Sequence, residues 1–140
     1  MVTASLPAVA QQEAQDELKP VVVTPEALAI HSQSIVWDGH NDLPWEFRSR
    51  GTPSFEKLDI ANLQTDMHTD IPRLRKGGLN AQFWSVYVPA DTAYNGTALL
   101  KTLEQIEFVK RMVAHYSDDM EMAYTADDVT RIVKAGKIAS

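Results

Sequence analysis

The run Leu79-Asn-Ala-Gln-Phe-Trp-Ser-Val-Tyr-Val88, closed by Pro89, constrains the fold of this chain more than any other stretch. Its aromatic and β-branched residues favour a pleated backbone and proline stops it, which predicts a strand over 79–88 buried on both faces. The segments around it predict the rest of the pattern. After it comes a helix over about 97–116, in which Leu99, Leu103, Ile106, Val109, Val113 and Tyr116 recur every three or four residues as one apolar stripe. An extended piece at about 121–124 leads to Thr125-Ala-Asp-Asp128, a capping box opening a helix with Val129, Ile132 and Val133 on its apolar face and Gly136 at its end. Lys137 to Ser140 opens another strand. Upstream, Thr24-Pro25-Glu26 starts a short helix to about His31, Ser34 to Asp38 reads as a buried strand, and Asp70 to Lys76 reads as an acid-capped helix ending on Gly77-Gly78. The twenty-odd residues after the first strand read as a long loop, a length uncommon in compact domains and often functional. Strand, helix, strand, helix, strand is the rhythm of a parallel sheet with helices packed on it, an α/β fold.

At 140 residues the chain is one domain or a piece of one. Its 19 acidic against 13 basic residues, net charge −6, disfavour a nucleic-acid partner. The lack of cysteine removes disulfides, thiolate nucleophiles and cysteine-ligated zinc, so any metal must be held by His, Asp or Glu. No stretch approaches the length of a membrane span. Residues 1–20 read as a disordered segment preceding a folded part at 21–140. Within it, Ala8-Val9-Ala10 before Gln11 is either the end of a truncated signal peptide, which would place the protein in the periplasm or outside the cell, or an Ala-rich terminus of a cytoplasmic chain.

Chemistry concentrates in Trp37-Asp-Gly-His-Asn-Asp-Leu-Pro-Trp45, directly after the first predicted strand. His40 and Asp42, two apart, project to one side if the backbone stays extended. They are the right donors for zinc or a similar divalent ion, Gly39 would permit the turn inward, and Pro44 would stiffen the exit. The competing reading is a polar turn in which Asp38, Asn41 and Asp42 bond to local amides. A second triplet, His68-Thr-Asp70, falls at a helix start, where residues two apart do not face each other and Asp70 serves as the cap. His31 and His115, near helix ends, are expected to meet terminal carbonyls. Trp45, Phe47, Phe83, Trp84 and Tyr87 are expected to fill core rather than line a pocket. Asn95-Gly-Thr97 matches a glycosylation sequon and also lies where a helix cap is expected. No nucleophile elbow, phosphate-binding loop or dinucleotide fingerprint is present.

Together, "VWDGHNDLPW", "DIPRLRKGGLNAQFWSVYVP", the long helix, "TADDV" and "GKIAS" resemble the membrane dipeptidase (renal dipeptidase) family of zinc peptidases, over about Ile35 to Ser140. The resemblance implies the N-terminal part of a (β/α)8 barrel with a two-zinc centre that hydrolyses dipeptides, including those ending in a D-residue. It implies His40 and Asp42 as ligands of the first zinc, and places the bridging glutamate, two further histidine ligands and the substrate-binding groups beyond Ser140. On that basis no catalytic residue falls within this chain, which would supply about three of eight strands and be inactive alone, while the whole protein could form a homodimer. Two alternatives stand beside it. One is a non-catalytic α/β ligand-binding module; the other is an amidohydrolase-type barrel, whose usual His-x-His after the first strand disagrees with Asp42.

Overall fold

In a computed structural model the chain is described over residues 20–51 and 54–140. Local side-chain caps set several element boundaries. Thr24 accepts a hydrogen bond from the Ala27 amide at 3.1 Å and starts α1 (Pro25–Gln33). Strand β1 (Val36–Asn41) leads straight into α2 (Leu43–Ser49), and α3 (Ile71–Lys76) begins where the Asp70 carboxylate accepts from the Arg73 amide at 2.8 Å. Then follow β2 (Leu79–Trp84), α4 (Asp91–Tyr94), α5 (Ala98–His115), β3 (Met120–Glu121), α6 (Ala126–Lys134) and β4 (Ile138–Ala139). The capping box predicted at the start of α6 is present in both directions between Thr125 and Asp128.

Gly78 has to be glycine at the end of α3. Its φ is +71°, and a Cβ there would lie 2.8 Å from the His31 Nε2. That imidazole meets the Gly77 carbonyl at 3.0 Å and ties α1, which buries no residue, to the end of α3. His31 therefore does meet a terminal carbonyl, but that of another helix. His115 instead stacks on Phe55, ring centroids 4.8 Å apart.

All four strands are parallel, in the order β1-β2-β4-β3. The last step runs backwards across the sheet. A right-handed crossover made in the reverse direction places its helix on the opposite face, and this is where α6 lies. Adjacent residues of β4 record the division: Ile138 joins the core built by Phe47, Ile71, Phe108 and Met112, whereas Ala139 packs with Ala81, Val129 and Ile132. Helices thus flank both faces of the sheet.

Three further expectations need correction. The presumed long loop after β1 contains α2, which has Pro44 in its first turn and buries Phe47 completely. The predicted strand over 79–88 ends at Trp84, because its neighbour β1 turns into α2 after Asn41 and offers 86–88 no partner on that side; Phe83 is 60% exposed. The predicted stripe on α5 is buried only at Val109, Val113 and Tyr116, with Phe108 and Met112, which it did not include, buried beside them, while Leu99 and Leu103 face solvent at 74% and 53%.

Candidate metal centre

The end of β1 is not a regular strand. From Asp38 to Asn41 it advances three residues while β2 advances two, from Gln82 to Trp84, so Gly39-His40 carries one extra residue. The Asp38 carboxylate accepts from the His40 amide at 3.0 Å and closes this bulge. Gly39 has no positive φ, and a Cβ on it would meet nothing within 4 Å, so neither conformation nor space demands glycine here. The bulge is what turns His40. Plain alternation along an extended strand does not describe the pair, because Asp42 already stands at the N-cap of α2 with φ −88° and ψ 17°.

His40 Nε2 and Asp42 Oδ2 meet at 3.1 Å, with side chains 70% and 55% exposed. Unlike Thr24, Asp70 and Thr125, Asp42 caps nothing with its side chain; the Leu43 amide is taken instead by Asn41 Oδ1 at 3.0 Å. A carboxylate withheld from its own helix is free for another partner. The Ser85 hydroxyl first, then His40, hold it below the usual carboxylate range, against the opposing effect of burial. Ser85 stands beside it because its amide donates to the Asn41 carbonyl at 2.9 Å, one step beyond the end of β2. The two donors suit a divalent ion in kind, and their separation fits two ligands each roughly 2.0–2.2 Å from one ion. Among the described residues no third His, Asp or Glu joins them to make a group able to hold a metal.

The structure separates the two His-x-Asp triplets. Asp70 is fully buried, caps α3 and pairs with Arg73 at 2.7 Å, while His68 is exposed and points elsewhere, lining with Asp42 and Glu46 a cleft of about 330 Å³. Of the aromatics, Phe47 is core, Trp45 meets Tyr87 edge-on at 5.0 Å, and Phe83 stacks on Trp37 at 5.2 Å with both partly exposed. Sequence reading missed Ser85, Thr69 and Gln82, which surround Asn41 and Asp42 from β2 and the segment before α3. The only signal was their polarity inside or beside apolar runs.

Fold and pair together define an α/β protein that gathers polar groups at the carboxyl end of a parallel strand, as such folds generally do. The chain belongs to the membrane dipeptidase family (peptidase family M19), whose model matches residues 24–140. It is 40% identical over 111 residues to the dipeptidase ataJ of Aspergillus terreus, covering 74% of this chain and 27% of that protein. It is 32% identical to the dipeptidase verJ of Clonostachys rogersoniana over 126 residues, 82% of this chain and 32% of the relative. With the dipeptidase tcpJ of Claviceps purpurea it shares 39% identity over 112 residues, 74% of this chain and 26% of the relative. The chain thus spans between a quarter and a third of the length of these relatives.

Proposed function

We propose that the whole protein is a zinc-dependent dipeptidase that hydrolyses the peptide bond by attack of a metal-activated water, and that His40 and Asp42 hold the first of two zinc ions. The carrying observation is the pair at 3.1 Å at the end of β1, with Asp42 standing at a helix N-cap without capping, in a chain of this family. As a ligand His40 presents the Nε2 lone pair, so that the two bonds to the ion replace the hydrogen bond that Nε2 shares with Asp42 when no metal is bound. Asp42 serves as a carboxylate, kept ionised by Ser85 and His40 and anchored by the burial of its neighbour Leu43. A bound zinc pair supplies Lewis acidity and a water acidified toward neutral pH. In this reading β1, β2 and β4, which lie side by side in chain order, are the first strands of a (β/α)8 barrel, β3 is added at the edge of β4, and the bridging glutamate, remaining histidines and substrate-binding groups follow Ser140.

The test uses the whole protein, zinc and a dipeptide with a C-terminal D-residue. His40→Ala and Asp42→Ala should each lose bound zinc and at least about a hundredfold in turnover, and a chelator should abolish activity that zinc restores. Full zinc content and turnover in both variants would exclude the assignment. Export is a separate part of the proposal and rests on Ala8-Val9-Ala10, outside the described residues. N-terminal sequencing of the mature protein should begin at Gln11. Among the described residues no helix is long and apolar enough to cross a membrane.

A further inference from the structure

Gln82 is 2% exposed in the middle of β2, yet its amide is fully used. Its Nε2 donates to the Asp38 carbonyl at 3.2 Å and the Phe83 carbonyl at 3.0 Å, and its Oε1 accepts from Asn41 Nδ2 at 3.4 Å. A flipped amide would set oxygen against two carbonyl oxygens, so the orientation is determined by its partners. Asp38 and Asn41 are the residues immediately before and after the bulged Gly39-His40. One buried side chain therefore grips both ends of the bulge. Asn41 carries the grip forward: its Oδ1 takes the Leu43 amide at 3.0 Å, its Nδ2 meets the Thr69 hydroxyl at 3.3 Å, and its carbonyl accepts from the Ser85 amide at 2.9 Å.

We propose that Gln82 is a positioning residue that clamps the β1 bulge and so holds His40 against Asp42. An apolar residue would fill the same space beneath the sheet, but a buried polar side chain is retained at a cost that only satisfied partners offset. Here those partners are the two flanks of the candidate ligand pair. The metal side of this proposal rests on the ligand reading above; the clamp itself is a statement about backbone geometry and is tested without metal.

The experiment compares the whole protein, freed of metal by a chelator, with Gln82→Met and with Val129→Ala, a variant in the apolar cluster of Ala81, Ile132 and Ala139. Gln82→Met should speed hydrogen exchange at the Leu43 and Ser85 amides, both bonded to Asn41, on the order of tenfold beyond any change in Val129→Ala. On adding zinc, its affinity should fall about 10–100-fold and the visible spectrum of the cobalt-substituted protein should change, neither of which general destabilisation in Val129→Ala should reproduce. Exchange at Leu43 and Ser85 no faster than in the control would overturn the clamp. Should Gln82→Met fail to fold, Gln82→Glu, which keeps an acceptor for Asn41 and turns the donors to Asp38 and Phe83 into repulsion, is read by the same exchange and with the same two outcomes. Faster exchange with zinc affinity unchanged in His40→Ala and Asp42→Ala would uphold the clamp and remove the ligand reading.

Discussion

Two aspartates at helix N-cap positions show how environment assigns the role. Asp70 is buried and does what an N-cap does, accepting from the Arg73 amide at 2.8 Å and the Gln64 amide at 2.9 Å, with the Arg73 guanidinium beside it. Burial alone would push its carboxyl up, but Arg73 and the two amides outweigh this and hold it below the usual range. A carboxyl whose folded pKa is depressed contributes stability above the ordinary aspartate value of 3.8 that is lost as pH falls through the folded value. Asp70→Asn should therefore cost about 2–3 kcal/mol at pH 7 and show a flatter loss of stability below roughly pH 4 than the parent, measured by urea unfolding across pH. Parallel acid limbs in the two proteins would place the acid sensitivity elsewhere. Asp42, half exposed and bonded to His40 and Ser85 rather than to its own helix, was recognisable as a ligand candidate from the cluster around it. Gln82 was not, because Asp38 and Asn41, which it grips, lie on a strand more than forty residues away.

At the scale of elements, helix starts were the most legible feature, since Thr24, Asp70 and Thr125 act through residues three or fewer positions away. The reach of an apolar stripe was not legible. Leu99 and Met112 occupy the same helix, but Met112 is fully buried in the core and Leu99 is 74% exposed. Met112→Ala should lower stability by about 2–5 kcal/mol and Leu99→Ala by less than about 0.5 kcal/mol, compared by denaturant midpoints. Equal costs would mean that the first half of α5 is covered as well. The α2 helix escaped prediction for a related reason: seven residues give too little periodicity to display, and Asp42 did not cap it.

For the whole molecule, the relevant fact is that two donors stand alone among the described residues, whereas a zinc site takes three or four protein ligands. The 140-residue chain by itself is expected to bind zinc weakly and to show no dipeptidase turnover above a His40→Ala control; turnover above that control would contradict the proposed division of ligands. Among the described residues, the exposed Trp37-Phe83 stack and the outer edge of β1 are left uncovered.

Local chemistry was enough to determine the parallel α/β rhythm, the capped helix starts and the His40-Asp42 candidate, because each depends on neighbours a few residues apart. The tertiary structure alone decided the sheet order β1-β2-β4-β3 and with it the placing of α6 on the far face, since strand order follows from which edges meet and not from any residue's own preference. It also decided how His40 reaches Asp42. The extra residue at Gly39-His40 exists only relative to the register of β2, and a register is a property of two strands that no single segment contains.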